Sequence, residues 1–239
     1  MKDKAKCLVI IPAYNESENI ANVIDNLITN YPQYDYVIVN DGSVDATKSI
    51  CSERHYQVLH LPVNMGIGGA VQTGYRYAWE NGYDMAVQID GDGQHDVAFL
   101  EGMIECMEQE KVDCVIGSRF VKKEGFQSSG LRRTGIQLLS ILGLVLTGVH
   151  VRDITSGYRL VNRRFIHIFA QDYPSDYPEP EAMVIVAVHG GKIREYPVVM
   201  RERENGTSSI TLKKSVYYMV KVTLAMLIRR LSFGVRRQK

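Results

Sequence analysis

Along the first half of the chain, short apolar runs alternate with stretches in which apolar residues fall at helical spacing. The runs at residues 7–11, 36–39, 58–61, 85–89 and 113–117 are bounded by Pro, Gly, Asn or Asp and predict buried strands. Between the first two, Ile20, Val23, Ile24, Leu27 and Ile28 recur every three or four residues, as on one face of a helix, with Asn15 or Ser17 available as its cap. Further helices are predicted at residues 45–54, from the Gly66, Gly68, Gly69 cluster to Asn81, and at 97–109. Strands alternating with helices in this way form βαβ units, so the expected fold is α/β with a mainly parallel central sheet flanked by helices. Each polar or glycine-rich junction follows a strand, which gathers the junctions along the edge where open sheets of this kind bind ligands.

The pattern changes after Gly117. Residues 120–134 are rich in Gly, Ser, Lys and Arg and predict a mobile loop, while residues 136–149 carry no charge. That second stretch is too short to span a bilayer and reads as buried core or an interfacial segment. A proline-rich turn carrying Glu179 and Glu181 follows, then a strand pair around Met183 to Val199. Residues 215–228 are apolar on nearly every helical face, with Lys221 as the only charge and basic clusters on both sides. A helix of that length can lie in a membrane surface, with the flanking Lys and Arg meeting lipid phosphates, or dock on the protein's own core.

Composition changes this picture in two places. The 239 residues suffice for one large α/β domain, expected over residues 1–210, with 211–239 as a basic C-terminal helix that contacts a membrane or a partner. The net charge of +1 hides an asymmetry, because residues 211–239 hold eight of the 28 Lys and Arg and no Asp or Glu. Such a tail suits an anionic membrane surface, and no recognised nucleic-acid motif accompanies it, so no nucleic acid is expected as a partner. Cys7, Cys51, Cys106 and Cys114 are scattered without a Cys-x-x-Cys pair and read as reduced residues of a cytosolic protein. The N-terminus runs directly into the first strand, so no signal peptide is expected.

The candidate chemistry centres on Val87-Gln88-Ile89-Asp90-Gly91-Asp92-Gly93-Gln94-His95-Asp96. Two carboxylates separated by one glycine, at the carboxyl end of a predicted strand, can converge on one hard cation, and the Gln94 carboxamide can add a third oxygen. A calcium loop of the helix-loop-helix type is a poor match, because its sixth position requires glycine and here is His95. A solvated acidic turn is the plainer alternative for the stretch taken alone. The glycine cluster at 66–69 departs from the dinucleotide fingerprint in spacing and in following the third strand. Close packing and phosphate contact both remain open for it.

Four linked motifs resemble the family 2 inverting glycosyltransferases of GT-A fold: Ile11-Pro12-Ala13-Tyr14-Asn15-Glu16, Asn40-Asp41-Gly42-Ser43 with Asp45 and Thr47, Asn64 through Ala70, and Asp90-Gly91-Asp92-Gly93-Gln94. In the second half, Gly117-Ser118-Arg119, Asp153 with Ser156-Gly157-Tyr158-Arg159, and Arg203 with Gly206 and Ser208 are similar to the polyprenyl-phosphate branch of that family, which includes dolichol-phosphate mannosyltransferase. The resemblance implies a nucleotide-sugar donor held by Pro12, Ala13, Tyr14, Glu16, Asp41, Gly68, Asp90, Gly91 and Asp92, with uridine the mildly preferred base. It implies Mg2+ or Mn2+ on Asp90, Asp92 and Gln94. It further implies a polyprenyl-phosphate acceptor met by Arg119, Arg133, Arg203 and Ser208, with Asp92, Arg119, Arg203 and Asp153 as catalytic residues.

A departing nucleoside diphosphate accumulates negative charge that a carboxylate-held divalent cation offsets. A lipid phosphate is already anionic near pH 7 and needs no general base, whereas a glycan hydroxyl would need one, from Asp153, Glu179 or Glu181. A catalytically silent nucleotide-sugar-binding scaffold is the alternative of another class. Many relatives continue into transmembrane helices, whereas this chain stops at Lys239. The expected location is therefore the inner face of the cell membrane, reached by surface binding or through a small membrane-protein subunit.

Overall fold

The structure is a computed structural model describing residues 5–122, 130–200 and 212–236. In chain order its strands are β1 (Cys7–Ala13), β2 (Asp35–Asn40), β3 (Val58–His60), β4 (Met85–Gln88), β5 (Cys114–Ser118), β6 (Arg159–Asn162) and β7 (Ile193–Pro197). Its helices are α1 (Ile20–Asn30), α2 (Thr47–Glu53), α3 (Gly66–Glu80), α4 (Leu100–Glu110), α5 (Gly130–Thr147), α6 (Arg163–Gln171), α7 (Pro178–Val188) and α8 (Leu212–Arg236).

Among the described residues the strands form one sheet in the order β3-β2-β1-β4-β6-β5-β7. Only β6 runs against its neighbours, pairing antiparallel with both β4 and β5. All seven residues of β1 are buried, as expected of a strand covered on both faces. Leu8 and Ile10 enter one core with Val39, Tyr75, Phe165 and Met183, and Val9 and Ile11 enter the other with Ile20, Ile24, Leu27 and Met103. Each such fully buried Leu or Ile stabilises the fold by about 1.5–3 kcal/mol relative to exposure.

The five strands expected in the first half are present, and the second half corrects three expectations. The first member of the strand pair around Met183 to Val199 is the helix α7, and only the second is a strand, β7. Residues 182–186 are buried on every side, so their β-branched run shows no helical period. Pro178 opens α7, and Glu179 and Glu181 occupy its first turn rather than a free turn. Strand β6 and helix α6 are not among the elements expected from the sequence. The expected loop at 120–134 ends in α5, whose first residue is Gly130; residues 123–129 lie outside the described residues.

The α1 cap also differs. The helix follows Asn19 without a side-chain cap, while Asn15 takes a left-handed conformation and its Oδ1 accepts the Val44 N–H. Ile28 of the predicted apolar face is 45% exposed.

The helix α8 packs on α5 and α7, with Val222 and Met226 in the same core as Tyr75. A Cβ on Gly135 would stand 3.2 Å from the Met219 sulfur and one on Gly143 3.7 Å from Met226 Cε, while Arg230 Nε donates to Leu146 O at 2.8 Å. These contacts advance in step along both chains, so α5 and α8 run parallel. The positive charge read as unopposed is partly answered: Lys221 pairs with Asp176 at 2.5 Å, and Arg229 with Asp172 at 2.6 Å and Glu181 at 2.8 Å. Among the described residues no helix is long and apolar enough to cross a membrane.

Candidate active site

The parallel strands deliver their following loops to one edge of the sheet, and hydrogen bonds knit those loops together. The Asn15 N–H donates to Ser43 Oγ at 3.0 Å, the Glu16 N–H to Thr47 Oγ1 at 2.9 Å and the Ser17 N–H to Asp45 Oδ2 at 3.1 Å. Burial opposes ionisation of Asp45, but bonds from the Thr47 hydroxyl and N–H and from Ser17 outweigh it and hold the carboxyl below its ordinary value. Asp41, 3% exposed, donates its N–H to Ala13 O and accepts the Met65 N–H on Oδ1 at 2.7 Å, joining the loop after β2 to that after β3. Pro12 and Ala13 are buried in β1, and Tyr14 beyond them is 47% exposed.

The acidic hairpin lies in the same cleft. Gln88 of β4 is level with Ile10 of β1, which sets Asp90 level with Pro12. A Cβ on Gly91 would stand 3.2 Å from Pro12 O and 3.6 Å from Glu16 Cγ, so the hairpin rests directly on the loop after β1. Gly93, with φ +76°, turns the chain back, and Asp92 Oδ1 accepts the Gln94 N–H at 3.0 Å. The Asp90 side chain is 34% exposed, whereas Asp92 is buried.

Among the described residues no three His, Cys, Asp or Glu side chains converge into an all-protein metal cage. The donor chemistry nevertheless fits a hard divalent cation, because Mg2+ and its like take one or two carboxylates and complete their shell from substrate phosphates and water. Gln88 Oε1, beside Asp90, is buried without a partner in the described structure, which fits an ordered donor such as water at this end of the hairpin.

The antiparallel strand β6 explains how the second-half motifs reach this edge, since its amino end lies beside the carboxyl ends of β4 and β5. Gln88 is level with Arg159, which puts Gly157 beside Asp90; a Cβ there would stand 3.2 Å from Asp90 Oδ1. Arg159 is buried and donates to Ser156 O at 2.8 Å, to Ile154 O at 2.7 Å and to Glu179 O, fixing the loop before β6 against the start of α7. Ser156 Oγ donates to Gly117 O at 2.7 Å.

Three of the expected site residues are engaged by other parts of the protein. Asp153 is fully buried and receives the Arg119 N–H, Nε and Nη2 at 3.0, 2.8 and 2.7 Å, so both of its carboxylate oxygens are engaged by Arg119. Arg119, 6% exposed, spends Nε and Nη2 on that pair and cannot offer the same fork to a phosphate while the pair stands. Gly68 gives its N–H to Ser175 O at 3.1 Å, and a Cβ on it would stand 1.9 Å from Pro174 O. The absence of a side chain is what lets α3 approach Pro174 and Ser175 this closely.

Arg133 and Arg119 both lie against the Phe120 ring, at 5.7 and 5.4 Å from its centroid, which brings the two arginines together. Arg203 and Ser208 lie outside the described residues. Gln88, His95 and Tyr158 carry no role in the expected site, although a glutamine inside the apolar run of β4 is a visible signal.

The family description "Glycosyl transferase family 2" matches residues 8–169, which contain the loops after β1, β2 and β3, the acidic hairpin and Arg159. The chain belongs to glycosyl transferase family 2. It is 31% identical over 215 residues to the undecaprenyl-phosphate mannosyltransferase of Micrococcus luteus, covering 86% of this chain and 88% of that protein. It is also 31% identical over 218 residues to the UDP-N-acetylglucosamine–dolichyl-phosphate N-acetylglucosaminyltransferase of Methanococcus voltae, covering 83% of this chain and 86% of that protein. Among solved structures it resembles glucosyl-3-phosphoglycerate synthase of Mycobacterium tuberculosis, crystallised with Mn2+, uridine diphosphate and glucosyl-3-phosphoglycerate. The TM-score is 0.71 at 20% identity, over 96% of this chain and 81% of that one. The shared architecture makes this family 2 glycosyltransferase a GT-A fold, as its motifs implied.

Proposed function

We propose that this family 2 glycosyltransferase moves one sugar from a UDP-linked donor to a polyprenyl phosphate at the inner membrane surface, inverting the anomeric centre. The observation that carries the reading is the seating of the Asp90–Gly93 hairpin on Pro12 and Glu16, which gives the nucleotide loops and the carboxylates one cleft. Pro12, Ala13, Tyr14, Glu16 and Asp41 hold the nucleoside. Asp90, Gly91, Asp92 and Gln94 face the diphosphate and hold Mg2+ or Mn2+. A cation bound there supplies the positive charge that stabilises the departing diphosphate.

The acceptor is assigned from what the carboxylates are already doing. Asp153 is locked to Arg119 and Glu181 to Arg229, so two of the three candidate bases for a hydroxyl acceptor are held in ion pairs. A phosphate oxygen is anionic near pH 7 and attacks without one. Arg133, with Arg203 and Ser208, orients it by hydrogen bonds to its other oxygens, while Arg119 holds the loop that carries Phe120. The lipid-phosphate acceptors named for the Micrococcus and Methanococcus relatives support the same choice, and the uridine nucleotide in the second name supports the base.

The membrane reading is supported by two adjacent apolar stripes. Leu138, Ile141 and Val145 on α5, and Val220, Leu224, Ile228 and Leu231 on α8, are each more than half exposed. Such a patch exceeds what scattered surface residues explain.

The test is incubation of the protein with UDP-glucose, UDP-N-acetylglucosamine and GDP-mannose in turn, with polyprenyl phosphate and with or without EDTA, followed by mass spectrometry of the lipid fraction. The expected result is one glycosyl-phosphoryl-polyprenol from a UDP-sugar, lost with EDTA. No glycosylated lipid phosphate from any of the three donors would overturn the acceptor assignment.

A further inference from the structure

The backbone of the acidic hairpin is held by a side chain to which neither the family motifs nor the donor reading gives a task. His95 Nδ1 accepts the Asp90 N–H at 3.1 Å, which requires the ring to be neutral at that nitrogen with its proton on Nε2. The imidazole is 3% exposed and lies against Tyr158, ring centroids 5.1 Å apart. The Tyr158 hydroxyl in turn donates to Asp96 O at 3.0 Å, so the residues flanking the imidazole are clamped as well. On the carboxylate itself, Gln88 Nε2 donates to Asp90 Oδ1 at 3.3 Å, and the missing side chain of Gly157 leaves the space the two oxygens occupy. Asp90 is therefore held through its backbone N–H by His95, whose Nδ1 also stands 3.7 Å from Oδ2, and through its carboxylate by Gln88.

We propose that His95 is a positioning residue: by accepting the Asp90 N–H it sets where that carboxylate stands, and with it the affinity of the cleft for a divalent cation. The inference rests on the reading that Asp90 binds the cation. What it adds is that an acceptor atom at the position of Nδ1, rather than a ring of suitable shape, is what the hairpin requires. Asparagine places its Oδ1 where Nδ1 stands, whereas glutamine carries its carbonyl one bond further from the backbone.

The experiment titrates Mn2+ into the full chain in the presence of UDP and, separately, GDP, following free Mn2+ by electron paramagnetic resonance, with thermal melting of each variant alongside. His95→Gln is expected to weaken Mn2+ binding about tenfold or more, and His95→Asn to leave it close to wild type, in line with the usual effect of groups that orient metal ligands. If His95→Gln binds Mn2+ as the wild type does, or if a folded His95→Asn loses as much as His95→Gln, the positioning role is overturned. Asp90→Asn separates that failure from a deeper one. A wild type that binds no Mn2+, or an Asp90→Asn protein that binds it equally well, removes the cation reading and the proposal with it. Should His95→Gln not fold, Gly157→Ala presses on the same carboxylate directly, and unchanged Mn2+ affinity in that variant would overturn the claim that the placement of Asp90 sets it.

Discussion

Arg119 and Asp153 meet where neither reaches solvent, and a charge left there alone has no water to turn to. Asp153→Asn keeps the volume and removes the negative charge, so it is expected to lower stability by about 3–5 kcal/mol, read as a shift in the urea unfolding midpoint. An unshifted midpoint with lost turnover would instead restore the residue to catalysis. The sequence offered Asp153 as a possible base because a residue string does not record burial, and the same motif spacing serves an ion pair as well as a proton acceptor. The cysteines were legible, since four scattered thiols without a paired spacing leave little but a reduced state. Burial, with Asp35 nearby, pushes the Cys7 thiol up to about 12, burial pushes Cys114 to about 11, and burial raises Cys51 as well. Cys106 is also raised, by burial and then by Glu110, but it alone is partly exposed. Iodoacetamide at pH 8 is therefore expected to label Cys106 in the folded protein and all four in urea, with peptide mass spectrometry as the measurement.

Elements of the first half were readable because each strand is a separate apolar run and each following loop carries polar residues with local hydrogen-bonding work. The second half was harder for a physical reason. The four-residue strand β6 is defined by partners far along the chain, β4 and β5, and no local pattern specifies an insertion between them. In α7 the β-branched residues 184–186 are buried all round, so apolar content carried no period, and only Pro178 and the acidic first turn marked a helix. The loop after β2 gives a test at this scale. Asp45 accepts the Thr47 hydroxyl and N–H at the start of α2 and the Ser17 N–H across the cleft. Asp45→Ala is expected to cost about 1 kcal/mol, as loss of a helix-start acceptor usually does, measured by chemical denaturation. The carboxyl titrates below its ordinary value when folded. Its contribution is therefore complete above the unfolded pKa and is lost as pH falls through the lower folded one. The gap between wild type and Asp45→Ala should close in acid and stay constant from pH 5 to pH 8.

For the whole molecule, the parallel pair α5 and α8 makes core docking and the proposed membrane contact compatible, although the sequence had set them against each other. The inward side of α8, with Val222 and Met226, belongs to the core, and Arg229 is tied to Asp172 and Glu181. Val220, Leu224, Ile228 and Leu231 on α8 are more than half exposed, as are Leu138, Ile141 and Val145 on the neighbouring α5. A helix need not choose between docking on its own protein and lying in a lipid surface when its two sides differ in what they touch. Lys221 and Arg229 are paired internally, so on the proposed membrane reading the apolar residues contribute attraction beyond that of the remaining basic charge. Binding to vesicles of mixed anionic and zwitterionic lipid should then survive a rise in salt that would screen a purely electrostatic contact. Val145 and Leu224 are 75% and 52% exposed, so replacing both by Glu leaves the core intact and the melting temperature near wild type. Each change removes roughly 1.5 kcal/mol of apolar burial in the lipid, so the double variant is expected to bind vesicles about a hundredfold more weakly in a sedimentation assay. Transfer to a water-soluble short-chain prenyl phosphate should persist in the same variant, because neither residue lies in the cleft. Undiminished vesicle binding by the double variant, or binding abolished by salt alone, would move the membrane contact away from these helices.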